Sequence, residues 1–317
     1  MIEDPGKLME TVTAELGKVV KGQREAVEGV FLTMVLGGHA LIEGPPGTAK
    51  TLLVRTLARI TTSRFRRIQF TPDLMPSDVI GTNVYDQRTG DFRFREGPIF
   101  TDLLLADEIN RAPSKTQAAL LECMEERHAT VDGERHPISS VFTVFATQNP
   151  IEYEGTYPLP EAQLDRFMTK IVVGFPDHER EMEIVSLHDA GFDPADLDTA
   201  GVEAIMGVED VIAFGKRIRA ARADEKVRAY ITDVVQATRR HGQVAVGASP
   251  RAAIFMLRMA KAIAILEGRD FAVPDDVKRH ALPILRHRII LKPEAEIEGH
   301  TTDDVVADIL ASTRVPM

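Results

Sequence analysis

A run of glycine, proline, threonine and lysine near residue 50 has the composition of a phosphate-binding loop, or P-loop. The run is Gly44-Pro45-Pro46-Gly47-Thr48-Ala49-Lys50-Thr51. Backbone N–H groups of such a loop can surround phosphate oxygens, and the positive end of the helix that follows strengthens the attraction. The Lys50 ammonium would bind the β- and γ-phosphates of ATP, and the Thr51 hydroxyl would ligate Mg²⁺. The sequence therefore predicts an ATP site with Mg²⁺ as its metal.

The loop departs from the strict P-loop pattern at one position, because Ala49 stands where that pattern has glycine. We expect alanine to be tolerated if the backbone there keeps a negative φ. The alternative interpretation is a glycine- and proline-rich turn between a strand and a helix. The adjacent pair Lys50-Thr51 at the start of the helix favours the phosphate-binding interpretation.

The segments on either side of the loop predict the elements that a P-loop requires. The apolar run His39–Glu43 is too short for a helix and leads directly into the loop, which indicates a buried strand. After the loop, Leu53, Leu57 and Ile60 recur at helical spacing and predict an amphipathic helix. A strand, a glycine-rich loop and a helix in this order are the expected context of the motif.

Two carboxylates follow a second apolar run, Leu103–Ala106. A strand that ends in Asp107 and Glu108 has the Walker B arrangement, in which Asp107 would hold the Mg²⁺ shell and Glu108 would polarise the attacking water. In open parallel sheets both groups would lie at the carboxyl edge, beside the P-loop. The alternative is an acidic strand end that begins a turn.

A third apolar run ends in polar residues at Gln148-Asn149-Pro150. Asn149 would hydrogen-bond the γ-phosphate or orient the attacking water. The alternative is an Asn-Pro turn that ends a strand.

Strand and helix patterns alternate up to about Asp177, and helical patterns dominate after it. We therefore predict an α/β domain over residues 1–177 with a mainly parallel five-stranded sheet, and a helical domain over 178–317. We interpret Gly191–Gly207 as a linker or as an excursion of the chain without regular secondary structure. The predicted strands are His39–Glu43, Arg67–Phe70, Phe100–Ala106, Val141–Thr147 and Thr169–Val173. The predicted helices include Lys7–Val20, Ser114–Arg127, His178–Asp189, Val208–Ala221, Glu225–Arg239, Pro250–Glu267 and Pro274–Arg286.

Composition narrows the classes of function. The 317 residues include 38 basic and 48 acidic side chains, a formal net charge of −10, so we do not expect a general nucleic-acid binder. A single cysteine, Cys123, excludes an intrachain disulfide framework and fits the cytoplasm. The N-terminal residues Met1–Pro5 show neither a basic region nor an apolar run, so we predict no secretory signal. We also predict no membrane insertion, because no apolar run approaches the roughly 20 residues of a membrane helix.

The motifs in this order and spacing, with Ser249-Pro250-Arg251 further along, resemble those of an AAA+ ATPase. Longer strings are similar to the MoxR family in particular, and the resemblance extends from about Leu8 to Leu291. The strings are Phe70–Asp78, Leu105–Pro113, Ala146–Pro150 and Glu154–Phe167. Alanine at position 49 is also usual in that family.

The resemblance implies an AAA+ P-loop core followed by an all-α lid domain, and it implies roles for four further residues. Asn149 would be sensor 1. Arg166 would be an arginine finger offered to the ATP of a neighbouring subunit, and Arg251 would be sensor 2, reaching the γ-phosphate from the lid. Gln23 would lie near the adenine. The alternatives are a surface ion pair of Arg166 with Asp165 or Glu161, and a helix-start arginine at position 251 without a ligand contact.

Two short hairpins are predicted. Asn83–Tyr85 and Phe92–Phe94 flank one turn, and Thr130-Val131 and His136–Ile138 flank Asp132-Gly133, a strong tight-turn signal. The resemblance implies that they are the insertions of the clade that holds MoxR, magnesium chelatase and the replicative helicases. There they would contact substrate at a pore; the alternative is two solvated surface hairpins.

By resemblance the function is ATP hydrolysis in a ring, expected to be a hexamer, that remodels or activates a protein client. A partner with a von Willebrand factor A domain is also implied. The alternatives are a nucleic-acid-dependent motor, a magnesium-chelatase-type ATPase subunit and a scaffold that binds ATP but scarcely hydrolyses it. The first hairpin turn holds two aspartates and one arginine, which disfavours a phosphate-backbone contact.

Overall fold

A computed structural model describes residues 5–149 and 156–316, so Pro150, Glu154 and Gly155 of the family-like strings lie outside the described residues. The helices are α1 (Pro5–Gly17), α2 (Arg24–Val35), α3 (Lys50–Ile60), α4 (Pro76–Ile80), α5 (Ser114–Glu126), α6 (Glu161–Leu164), α7 (His178–Asp189), α8 (Val208–Ala220), α9 (Glu225–Arg240), α10 (Pro250–Leu266), α11 (Pro274–Arg279), α12 (Ala281–Leu285), α13 (Pro293–Ile297) and α14 (Thr302–Ser312). The strands are β1 (Ala40–Glu43), β2 (Phe65–Gln69), β3 (Gly81–Asp86), β4 (Asp91–Glu96), β5 (Leu103–Asp107), β6 (His128–Val131), β7 (Glu134–Pro137), β8 (Thr143–Gln148), β9 (Thr169–Val172), β10 (Val244–Val246) and β11 (Ile290–Leu291).

The five predicted core strands form one sheet in the order β2-β5-β8-β1-β9, and every neighbouring pair is parallel. This confirms the predicted α/β fold. Strand β5 begins at Leu103 and not at Phe100, because Asp102 turns its carboxylate onto the Arg64 N–H (2.8 Å) and Ser139 (2.6 Å). Strand β2 begins earlier than predicted, at Phe65.

The strand ends bring the predicted chemical groups to one edge of the sheet. Glu43 at the end of β1 lies opposite Gln148 of β8, and Gln69 of β2 lies opposite Asp107 of β5. Because all five strands run the same way, the P-loop, Asp107 and Asn149 follow at the same carboxyl edge. This is where open α/β sheets bind ligands.

Both predicted hairpins are present, as β3–β4 and β6–β7. Asp132 and Gly133 both have positive φ, 49° and 85°, which fits a tight hairpin turn. The hairpins also contact each other. The Asn83 amide donates to Asp132 (2.7 Å), and the rings of Phe94 and His136 stack with centroids 3.9 Å apart. The two insertions therefore form one unit.

The C-terminal part is helical except for the antiparallel pair β10–β11, which the sequence pattern did not indicate. The predicted helix Pro274–Arg286 is two helices, α11 and α12, because the chain breaks helical geometry at His280 (φ −123°, ψ 18°). Helices α13 and α14 were not predicted. One apolar cluster joins these helices to α1 and α2, so the lid packs directly on the core.

The excursion predicted over 191–207 contains one short 3₁₀ helix, Leu197–Ala200, and is fixed in place. Phe192, Leu197 and Val202 are buried in the main apolar cluster, and the N–H groups of Ile205 and Met206 donate to the Ile60 carbonyl. Its polar side chains therefore lie at the surface on an anchored backbone. Over residues 5–149 and 156–316, no helix has both the length and the apolar character that crossing a bilayer requires.

Candidate nucleotide-binding site

A cavity of about 630 Å³ lies at the carboxyl edge of the sheet. We call it the P-loop cavity. It brings together the three motifs predicted from the sequence. Its lining residues are Pro46, Gly47, Thr48, Ala49, Lys50, Thr51, Leu52, Arg55, Arg67, Asp107, Glu108, Thr147, Gln148, Asn149, Pro194 and Ala195.

The P-loop connects β1 to α3, as its motif requires. A Cβ atom at Gly44 would lie 2.2 Å from the Val173 carbonyl oxygen, so only glycine fits at the start of the loop. Lys50 Nζ donates to the carbonyls of Gly44 (2.9 Å) and Pro45 (2.6 Å). Burial lowers the pKa of Lys50, and the nearby carboxylates of the cavity oppose that shift. The cation therefore lies inside the loop.

The backbone at Ala49 does not meet the condition of a negative φ under which we expected alanine to be tolerated. Ala49 has φ 60° and ψ 22°, in the left-handed region, and it immediately precedes α3. The loop enters the helix through this turn, and a Cβ there costs about 1 kcal/mol relative to glycine. Alanine at this position is therefore tolerated with strain.

Asp107 is fixed by two neighbouring strands. Its Oδ1 accepts from the Thr147 hydroxyl at 2.5 Å, and its Oδ2 accepts from Arg67 Nη2 at 2.6 Å and Nε at 3.0 Å. Thr147 also accepts from the Glu108 N–H at 2.8 Å, and Glu108 itself has φ 55°. One threonine therefore orients both residues of the carboxylate pair.

Within the described residues, two side chains contact the Glu108 carboxylate. Gln69 Nε2 donates to Oε2 at 2.6 Å, and Arg111 Nε lies 2.9 Å from the same oxygen. Sequence reasoning assigned none of Arg67, Gln69 and Thr147 to the site. The alternation of side chains between the two faces of a strand could have indicated Arg67 and Gln69. Arg67 and Gln69 lie on one face of β2, beside the strand that carries Asp107.

Arg166 and Arg251 lie outside the P-loop cavity, and one carboxylate holds them together. Glu125 of α5 pairs with Arg166 Nη2 at 3.1 Å and with Arg251 Nη2 at 2.6 Å. Arg166 Nη1 also donates to the Leu121 carbonyl at 2.8 Å. We call this place, defined by Glu125, Arg166 and Arg251, the arginine cleft.

The alternative that paired Arg166 with Asp165 or Glu161 was wrong in its partner. Asp165 instead accepts from Arg288 Nε (2.8 Å) and the Ser249 hydroxyl (2.8 Å). Glu125 was missed as well. It is one of three glutamates near the end of α5, and nothing in the local sequence distinguishes it.

Gln23 and Asn149 occupy different surroundings. Asn149 lines the P-loop cavity at the end of β8. Gln23 does not line it; its Nε2 donates to the Gly174 carbonyl at 2.9 Å and joins the start of α2 to the chain after β9. The place of Gln23 near the adenine stays a prediction.

Comparison with known proteins identifies the family. Sequence models of two families match, the "ATPase family associated with various cellular activities (AAA)" over residues 39–169 and the "AAA lid domain" over 236–309. The chain is 41% identical to "Chaperone MoxR1" of Mycobacterium tuberculosis, over 97% of this chain and 82% of that protein. It is 30% identical to "Protein MoxR" of Methylorubrum extorquens, over 95% and 93%.

A solved structure agrees with this at the level of the whole chain. A crystal structure from Cytophaga hutchinsonii, described as a candidate ATPase, superposes with a TM-score of 0.89 at 42% identity and covers 99% of this chain and 96% of its own. The parallel sheet, the P-loop cavity and the matches over most of the relatives' length all indicate the same family. The chain therefore belongs to the MoxR family of AAA+ ATPases and is an enzyme that binds and hydrolyses ATP.

Proposed function

We propose that this ATPase works as a ring, expected to be a hexamer, in which each active site is shared by two subunits. The observation that supports this is the separation of the phosphate-binding groups. Lys50, Asp107 and Glu108 line one cavity, whereas Arg166 and Arg251 are held together outside it by Glu125. A head-to-tail contact would bring the arginine cleft of one subunit to the P-loop cavity of the next.

Within the cavity, the roles follow from the chemistry of the side chains. The Thr51 hydroxyl and the Asp107 carboxylate are the hard oxygen donors that Mg²⁺ prefers, so they would hold the ion beside the phosphates of bound ATP. The ion would neutralise charge on the β- and γ-phosphates. Glu108 would polarise the attacking water, and Asn149 would orient it.

Across the interface, the arginines would supply positive charge where the transferred phosphoryl group becomes more negative. Arg166 would act as the finger, and Arg251, its neighbour on Glu125, would act beside it on the same phosphate. We assign nucleotide binding to residues 1–177, with Gln23 near the adenine, and the lid to 178–317.

We further propose a chaperone-like role in which ATP turnover remodels or activates a protein client. One relative bears the name "Chaperone MoxR1". Tyr85 and Phe92 on the first hairpin are 52% and 71% exposed and could contact an unfolded or loosely folded segment. A partner with a von Willebrand factor A domain and a cytoplasmic location belong to the same proposal.

A mixing experiment tests the shared site. Glu108→Gln disables the cavity of its own chain, and Arg166→Ala disables the finger offered to a neighbour. Each variant alone should hydrolyse ATP at under 1% of the wild-type rate. An equimolar mixture should regain about a quarter of that rate, because a random head-to-tail ring forms intact cavity–finger pairs at about one interface in four.

The control mixture combines Glu108→Gln with the double variant Glu108→Gln/Arg166→Ala, which contains no intact pair and should stay inactive. ATP turnover in a purified monomer that does not depend on protein concentration, together with no recovery on mixing, would show that one chain holds the complete site. For the client, the Glu108→Gln variant should retain bound protein in an ATP-dependent pull-down.

A further inference from the structure

A groove of about 340 Å³ lies between the core and the lid, and the described residues that line it include four basic side chains and no acidic one. We call it the basic groove; its cations are Arg127, Arg219, Arg258 and Lys261. This is unusual in a chain with a formal net charge of −10. The four positive charges of the groove repel one another unless an anionic group binds among them.

The groove is a fixed feature of the fold. The Arg127 guanidinium donates to the carbonyls of Gly37 (2.5 Å) and Phe142, so its position is set by backbone at the ends of two elements. Burial lowers the pKa of Arg127, and the charge of Arg258 lowers it further. Among the residues that the structure describes, neither Arg219 nor Arg258 forms an ion pair with a carboxylate.

The basic groove is continuous with the arginine cleft. Arg127 and Arg258 also line the neighbouring depression that contains Glu125, Arg166 and Arg251. Whatever surface approaches Arg166 therefore also faces the basic groove.

A stretch of negatively charged residues borders the P-loop cavity. Residues 189–210 hold seven acidic side chains and no lysine or arginine; we call this stretch the acidic segment. Its backbone is anchored on the core by Phe192, Leu197 and Val202, and its Pro194 and Ala195 line the P-loop cavity. The exposed carboxylates of this segment that form no ion pair within the described residues are Asp189, Asp193, Asp196, Glu203 and Glu209.

We propose that the acidic segment of one copy docks against the basic groove of a neighbouring copy of the same chain. The inference rests on the shared active site proposed above. If the arginine cleft meets a neighbour's P-loop cavity, the flanking surfaces meet at the same junction, and their charges are complementary. Such pairing would fix which faces join and would favour closure of a head-to-tail ring.

Charge reversal tests the pairing. Arg219→Glu/Arg258→Glu and Asp193→Lys/Asp196→Lys should each weaken assembly at least about tenfold, because like charges then face each other. Assembly is followed by sedimentation velocity in the presence of a non-hydrolysable ATP analogue. ATP binding measured by calorimetry at low protein concentration should stay within about twofold of wild type, because none of the four residues lines the P-loop cavity.

Two rescues make the test specific to the pairing. A chain that carries all four substitutions has both charges exchanged and should assemble again. A mixture of the two double variants should also assemble, because each presents the surface that the other lacks. The matched control is Arg228→Glu/Arg240→Glu on α9, which makes the same change in net charge outside the groove and should assemble normally.

The outcomes separate this inference from the proposed function. If wild-type protein assembles and the reversals leave assembly unchanged, or the exchanged chain fails to recover, the docking surface is wrong while the shared site stands. If wild-type protein never assembles, both fail. Reversal variants that assemble but lose binding of inorganic phosphate or ATP at a second site would assign the groove to a small anion and overturn the proposal.

Discussion

The P-loop cavity and the arginine cleft both hold residues suited to phosphate, but only the cavity combines a phosphate-binding loop with carboxylates that could hold Mg²⁺. In the cavity, Lys50, Asp107 and Glu108 are placed by three adjacent parts of one sheet edge, and Thr147 bonds to both members of the carboxylate pair. In the cleft, two arginines from different parts of the chain share one carboxylate, Glu125.

The difference indicates how ATP binding and hydrolysis are divided. Binding needs the loop and its lysine, which a single chain positions. Hydrolysis also needs positive charge on the phosphoryl group, and the arginines that could supply it lie on another face. A chain built in this way would bind ATP as a monomer and hydrolyse it after assembly.

The largest expected effect comes from removing the finger. Arg166→Ala should lower the hydrolysis rate about 10³-fold, within the range that arginine fingers contribute, while the Kd for ATP changes less than about twofold. Steady-state turnover and calorimetry measure the two quantities. Arg228→Ala, an exposed arginine of α9, is the control. An equal loss of ATP binding in Arg166→Ala would remove the distinction between the two regions.

The reverse pattern is expected from the P-loop. Lys50→Ala should weaken ATP binding about 100-fold or more, because the loop loses the cation that faces the phosphates. Its arginine cleft should stay intact, so mixing this variant with Arg166→Ala should restore part of the activity. Lys216→Ala, on the surface of α8, should bind normally. Normal ATP binding by Lys50→Ala would contradict the assignment of the cavity.

A smaller effect is expected from Glu125→Gln, which keeps the shape of the side chain and removes its charge. The three side chains of the cleft are 32–39% exposed, so we expect the pairs to contribute about 0.5–1 kcal/mol. Because the carboxylate competes with a neighbour's phosphate for the arginines, hydrolysis at limiting protein concentration should rise about two- to fivefold. The control is Glu122→Gln. Glu122 lines an adjoining depression, and its substitution should leave the hydrolysis rate unchanged. A lower rate in Glu125→Gln would show that Glu125 positions the arginines for the reaction.

The smallest effect is expected at Ala49. Replacing it with glycine removes the cost of a Cβ at φ 60°, but glycine loses more conformational freedom on folding. The net rise in the free energy of unfolding should therefore be about 0.5 kcal/mol, or about 1–2 °C in Tm. Scanning calorimetry with and without ATP measures this. ATP affinity should be unchanged, since the loop already has its conformation. A fall in Tm would mean that the left-handed turn at position 49 carries no strain.

The sequence determined the elements whose patterns are local. Apolar runs predicted the buried strands β1, β5 and β8, and Asp132-Gly133 predicted a hairpin turn, because strand burial and turn geometry depend on neighbouring residues. The Pro274–Arg286 helix was wrong at His280, and β10–β11 was missed. The sequence pattern over Pro274–Arg286 stays helical across the break at His280, so the break could not be predicted. The strands β10 and β11 are very short, and they form only because the fold brings two distant segments together.

The same division applies to the residues of the site. The P-loop and Asp107-Glu108 could be predicted because each motif is contiguous and carries its chemistry in its own spacing. Tertiary structure alone decided that Arg67, Gln69 and Thr147 hold the carboxylates, that Glu125 joins Arg166 to Arg251, and that the acidic segment borders the P-loop cavity. These contacts join residues about 40 to 140 positions apart, and only the folded chain determines which side chains meet.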